Sequence, residues 1–133
     1  MRKVVQTDGA PRAIGAYSQA IVAGGWVWVS GQIALDPVAG EMVQADIEVE
    51  TGRVMKNLQA VLEAAGSGLD QIVRATIYLT DLGDFDAVNR VYGSHFERSA
   101  PARACVEVSR LPRGARVEID AVAQAGPAAE DAD

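Results

Sequence analysis

The run Ile47-Glu48-Val49-Glu50-Thr51-Gly52-Arg53-Val54-Met55-Lys56-Asn57-Leu58-Gln59-Ala60-Val61-Leu62-Glu63-Ala64-Ala65, closed by Gly66-Ser67-Gly68 and followed by Ile72-Val73-Arg74-Ala75-Thr76-Ile77-Tyr78-Leu79-Thr80, decides the class of fold. In its first part Ile47, Val54, Leu58, Val61, Leu62 and Ala65 recur at helical spacing, with Glu48, Glu50, Arg53, Lys56 and Glu63 mostly off that stripe, which predicts an amphipathic helix. The second part is β-rich and nearly continuous, as a central strand is. Upstream, Gln19–Ala23 and Trp26–Val29 read as strands joined through Gly24-Gly25, a tight-hairpin signal. Gln32–Leu35 extends the sheet, and Asp36-Pro37-Val38-Ala39-Gly40 is a turn. Downstream, Asp84 is expected to cap a second helix with Phe85, Val88, Tyr92 and Phe96 on its apolar face. Ala102–Ser109 and Arg116–Ala123 read as two closing strands, with Leu111-Pro112-Arg113-Gly114 turning the chain between them. The order ββ(β)αβαββ predicts an α+β subunit. Two helices cannot cover both faces of such a sheet, so both go on one face and the other must meet something, most economically a second subunit.

Composition agrees with that economy. The chain has 133 residues, 49% hydrophobic and 23% charged, the size of one domain, but aromatics are only 5% and much of the apolar content is Ala and Val. Small side chains bury little area each, at roughly 25 cal/mol per Å², so a lone subunit would be thinly stabilised. The expected organisation is one domain over 1–125 and an acidic, disordered tail over 126–133 carrying Glu130, Asp131 and Asp133. No run approaches the ~20 apolar residues that span a bilayer, and the first residues carry no signal-peptide core. A cytoplasmic protein without membrane contact is expected. One cysteine, Cys105, and one histidine, His95, exclude an internal disulfide and the usual cysteine- or histidine-based metal sites. A net charge of −6 argues against nucleic acid as the main partner. Yet Arg98–Arg116 holds five arginines against Glu107 alone, enough for an anion site or for a solvated face balanced elsewhere.

Nucleophilic catalysis is poorly supported: Ser30 lacks the glycine that precedes a nucleophile elbow, and Cys105 has only His95 for a base, which is expected to be a structural helix residue. No phosphate loop or cofactor motif is present. In the closing strands Arg103, Cys105, Glu107 and Ser109 alternate to one face, and Arg116, Glu118 and Asp120 likewise share a face. If these strands pair around Pro112-Arg113, the polar faces coincide. Arg103 and Glu118 then meet in one cleft, within a subunit or across an interface, as a carboxylate-binding fork and a proton acceptor; a plain salt bridge satisfies the same spacing.

Several segments together carry a family resemblance: Ala10-Pro11-Arg12-Ala13-Ile14-Gly15-Ala16-Tyr17-Ser18-Gln19, Ser30-Gly31-Gln32-Ile33, Asp84-Phe85 with Asn89 and Tyr92, Pro101-Ala102-Arg103-Ala104-Cys105-Val106-Glu107-Val108, and Leu111-Pro112 with Val117-Glu118-Ile119. Over residues 8 to 123 the chain closely resembles the reactive intermediate deaminase A (RidA, or YjgF) family, in its founding catalytic branch. The resemblance implies a chorismate-mutase-like subunit in a homotrimer, sheets facing inward and sites between subunits. It also implies cofactor-free hydrolysis of 2-imino acids such as 2-iminopropanoate and 2-iminobutanoate to 2-keto acids and ammonia. Arg103 would hold the substrate carboxylate and Glu118 would activate water. Tyr17, Ser30, the backbone of Gly31, Asn89 and the neighbourhood of Cys105 would line the pocket. A 2-imino acid is already electrophilic, so a carboxylate clamp and a positioned water suffice without metal or cofactor. Two departures stand out: Ala16 replaces the family's usual proline before Tyr17, and the loop from Phe96 to Pro101 is short. The rival expectations are another enamine substrate, such as 3-aminoacrylate, and a non-catalytic trimer that binds small carboxylates or acts like a chaperone.

Overall fold

A computed structural model describes residues 2–126; the expected acidic tail lies outside them, apart from Gly126. Six strands and two helices follow in the order β1 (Lys3–Val5), β2 (Ala20–Ala23), β3 (Trp26–Gln32), α1 (Ile47–Ala64), β4 (Ile72–Leu79), α2 (Phe85–Gly93), β5 (Ala102–Glu107) and β6 (Val117–Gln124). They form one mixed sheet, β1-β2-β3-β6-β4-β5, in which the β4–β5 pair is parallel and the rest antiparallel. Gly24 and Gly25 make the β2–β3 hairpin with φ of 60° and 83°, the paired positive values that a two-residue turn needs to match strand twist. Asp46 caps α1 through Val49 N–H at 2.9 Å, and Val54, Leu58, Val61 and Leu62 of the predicted stripe are fully buried.

Both helices cover one face, as expected. Beneath them lie Val27, Val29, Ala75, Ile77, Leu79, Val117, Ile119, Ala121 and Ala123. Alternation sends their neighbours to the open face, which presents Val4, Trp26, Trp28 and Val106, with Trp28 52% exposed.

Five expectations are corrected. β3 ends at Gln32, and beyond it only an isolated bridge between Leu35 and Met42 forms, so Ile33–Leu35 do not extend the sheet. The closing strands are not a hairpin: β4 lies between β5 and β6, and β5 returns parallel to it. β1 was not foreseen, because three residues starting with Lys3 carry almost no pattern of their own and form a strand by pairing with β2. Asp84 makes no side-chain cap; Asp81 takes the turn before α2 by accepting Gly83 N–H at 2.8 Å. His95 lies past the end of α2 and is exposed rather than packed on the helix.

Three polar residues of α1 are buried, and one of them, Thr51, is satisfied within the helix by donating its hydroxyl to the Ile47 carbonyl at 2.7 Å. Glu50, 3% exposed, accepts Arg116 N–H and Nε–H, both at 2.8 Å, and so ties α1 to the start of β6. Asn57 is fully buried and donates to the carbonyls of Ile33 and Leu35, at 3.0 and 2.9 Å. A buried carboxylate that loses its cation is expensive, about 3–5 kcal/mol for a fully buried pair. The Arg116 side chain is 40% exposed, so Arg116→Ala is expected to cost somewhat less, about 2–3 kcal/mol in urea unfolding at fixed protein concentration. A loss below about 0.5 kcal/mol would make the pair an ordinary surface contact.

Candidate active site

The residues singled out in the sequence gather in two places rather than one. The first is a cleft of about 480 Å³ whose lining includes Tyr17, Ser30, Gly31, Arg113 and Glu118. Glu118 is the second residue of β6 and points to the open face, opposite Tyr78 of β4. It has no hydrogen-bond or ion-pair partner among the described residues. Burial, and then the charge of Asp120 two residues on, push its carboxyl above the usual value of 4.5. Asp120 itself accepts the Tyr78 hydroxyl at 2.9 Å, which raises the phenol in turn.

The wall carrying Tyr17 is tied down by polar groups. The Tyr17 ring is exposed and its oxygen accepts Ile14 N–H at 3.3 Å, leaving the O–H free to donate. The Ser30 hydroxyl is spent on the Ser18 carbonyl at 2.6 Å, so in this arrangement it acts as a brace. Gln19, 3% exposed, accepts Thr7 N–H at 2.7 Å and donates to the carbonyls of Thr7, Ala10 and Pro11 at 3.0, 3.3 and 2.8 Å. These bonds hold the loop in which Ala16 replaces proline. Arg113 is the one non-glycine among the described residues with positive φ, at 58°, a conformation that costs a side-chain-bearing residue energy and clusters at functional clefts.

The second place is built on β5 and α2. Arg103 donates to Asn89 Oδ1 at 2.6 Å, and its guanidinium carbon lies 5.5 Å from the Phe85 ring centre and 5.1 Å from that of Tyr92. Cation–π contact and one hydrogen bond orient the fork and leave other N–H groups available to a ligand. Tyr92 is 3% exposed, its hydroxyl has no partner among the described residues, and burial raises its pKa despite Arg103. Cys105, beside them, is partly buried; burial pushes its thiol up against the opposing pull of Arg103, which disfavours a thiolate.

The two places lie on opposite faces of the sheet. On β4, Ala75 pairs with Arg103 and Tyr78 pairs with Glu118. Three residues of separation reverse the face, so Arg103 points to the helix side and Glu118 to the open side. The single cleft expected from a β5–β6 hairpin does not form within one chain, and neither does an Arg103–Glu118 salt bridge. Gln19, Asn57 and Arg113 were given no role in the sequence reading. Asn57 alone left a signal, as a polar residue between Val54 and Val61 on an otherwise apolar stripe.

The α+β subunit thus offers a half-buried, unpaired carboxylate on one face of its sheet and an aromatic-backed guanidinium on the other. The family model described as Endoribonuclease L-PSP matches residues 7–125. Protein DfrA of Myxococcus xanthus is 56% identical over 124 residues, covering 92% of this chain and 95% of its own. The 2-iminobutanoate/2-iminopropanoate deaminase of Rattus norvegicus is 44% identical over 127 residues, covering 96% and 93%. The crystal structure of E. coli TdcF with bound serine superposes with a TM-score of 0.88 at 38% identity, covering 92% of this chain and 98% of that one. The chain belongs to the RidA (YjgF) family.

Proposed function

We propose that this protein is a cofactor-free deaminase of 2-iminopropanoate and 2-iminobutanoate, working in the cytoplasm as a homotrimer with sites between subunits. Arg103 of one subunit forks the substrate carboxylate, held in place by Asn89, Phe85 and Tyr92. Glu118 of the neighbour takes a proton from water as the oxygen adds to the imine carbon. The tetrahedral adduct then collapses to the 2-keto acid, and the nitrogen leaves as ammonia after accepting protons. Tyr17, with its free O–H, and the Gly31 backbone sit where they can steady the imine nitrogen or the water.

The observation that carries this reading is the opposite-face placement of Arg103 and Glu118. Each is prepared for its task and neither is completed by its own chain. The large apolar side chains exposed on the open face, Val4, Trp26, Trp28 and Val106, set around Tyr78, Glu118 and Asp120, support burial of that face against a second copy. A head-to-tail contact that uses two different surfaces forms a ring where its rotation closes, as a three-fold one does. Ribonuclease activity, the word in the family model's description, draws no support from a chain of net charge −6.

The test couples the protein to a serine or threonine dehydratase with its amino acid and follows keto-acid semicarbazone. Faster keto-acid formation than without the protein is expected. No acceleration defeats the reading. Preference for 3-aminoacrylate would move the substrate, and carboxylate binding without turnover would leave a binding module. Light scattering should give a trimer; a monomer would remove the site.

A further inference from the structure

Gly31 is a glycine for a reason that backbone conformation does not supply. Its φ is not positive, so other residues can adopt its conformation. The space is what is special: a Cβ at position 31 would overlap Oε2 and Cδ of Glu118, and would reach Cγ at 3.1 Å.

The local register explains the approach. Val29 pairs with Ala121 and Gln32 with Ile119, so Ser30 and Gly31 together oppose Asp120 alone. That is a β-bulge, a device that re-aims side chains and backbone beside functional sites. Here it brings the Gly31 Cα against the Glu118 side chain, while Ser30 is anchored to Ser18 and the Ser30 N–H donates to the Gln19 carbonyl at 3.0 Å. The bulge therefore has little freedom to retreat, and the flexible carboxylate is the group that must give way.

We propose that Gly31 is a positioning residue whose missing side chain is the seat of the Glu118 carboxylate, so that any larger residue there displaces the water-activating group. This rests on the reading of Glu118 as the base. The seat itself can be tested without turnover.

Gly31→Ala is expected to fold, because the clashing atoms are the far end of a mobile side chain. Two measurements follow. In the coupled assay kcat should drop by about 10²-fold, the lower range for losing a positioned base, with KM moved far less because the Arg103 that forks the substrate carboxylate comes from the neighbouring subunit and does not touch position 31 of this one. In protein labelled with ¹³C at the glutamate carboxyls, with the Glu118 signal assigned by its loss in Glu118→Gln, the titration midpoint should fall toward the ordinary carboxylate range as the group swings into solvent. An unchanged Glu118 titration in Gly31→Ala overturns the proposal whatever the enzyme's substrate. A wild type that is inactive while the titration shifts would overturn the deaminase reading and keep the seat.

Stability supplies an independent arm. In a Glu118→Ala background the clash partner is gone, so adding Gly31→Ala should leave Tm unchanged, and the two substitutions should be non-additive. Equal destabilisation, or failure to fold, in both backgrounds would assign Gly31 to the backbone and defeat the proposal.

Discussion

Subunits carrying Arg103→Ala and subunits carrying Glu118→Gln, each inactive alone, are expected to recover about a quarter of wild-type turnover when co-assembled in equal amounts, as a head-to-tail ring requires. The figure follows from geometry. If each site takes Arg103 from one subunit and Glu118 from the next, random mixing leaves both groups intact where a Glu118→Gln subunit donates its arginine and an Arg103→Ala neighbour donates its glutamate. One neighbour pair in about four has that arrangement in that order. The parents should be near silent. Arg103→Ala loses a bidentate charge-assisted contact, about 1.5–3 kcal/mol per hydrogen bond, so kcat/KM should fall by roughly 10²–10⁴-fold. Tagged subunits, refolded or expressed together and assayed against separately prepared mixtures, provide the measurement. A mixture no better than its parents would place both groups in one chain's site, against the register of β4 with β5 and β6.

The second large effect joins activity to stability. Glu118→Gln should lower kcat by about 10²–10⁴-fold, the usual contribution of a general base, while making the protein more stable at neutral pH. The native Glu118 carboxyl binds its proton more tightly than the unfolded one, because burial and Asp120 penalise the charge. A group raised in this way contributes stability in full below its unfolded value, and that contribution is lost as the pH climbs through the higher folded value. Above both values the wild type carries a half-buried carboxylate without a cation, and the glutamine variant does not. Its Tm advantage should therefore be present at pH 8 and shrink toward pH 4. The same shift sets the acid limb of wild-type activity, which should fall away above the ordinary glutamate range of 4.5. The titratable and charged groups that face this carboxyl are Asp120 on β6, Tyr78 on β4, and Tyr17 and Arg113 on the loops. An equal Tm difference at pH 4 and pH 8 would show that no proton linkage operates at Glu118.

Much of the fold was legible because it is local. The stripe from Ile47 to Ala65, the glycine pair between Ala23 and Trp26, and the β-rich run to Leu79 are each read within one continuous segment of the chain, and each forms as read. The placement of both helices on one face also follows from counting apolar surfaces. Glu50 was assigned to the solvent side by its charge, although it sits one turn before Val54 on the buried stripe; its compensation by Arg116 comes from 66 residues away. β1 carried too short a pattern to be seen.

The candidate site divides along the same line. Residue types and family motifs identify Arg103, Asn89 and Cys105, and separately Tyr17, Ser30, Gly31 and Glu118, because alternation along a strand and short motifs are properties of neighbours in the chain. Which strand lies beside which is not such a property. A turn at Leu111–Gly114 permits a hairpin, but the parallel return of β5 satisfies its backbone against β4 and leaves β4 to pair β6 as well, burying Ile77 and Leu79 under the helices. That choice is made by the summed burial of the whole sheet. It puts Arg103 and Glu118 on opposite faces, and it uses the β3 bulge to set the Gly31 backbone beneath a carboxylate 87 residues further along the chain. Sequence alone singled out the candidate groups, whereas tertiary structure decided that one chain cannot bring Arg103 and Glu118 together, since a strand's register reverses its face at every residue.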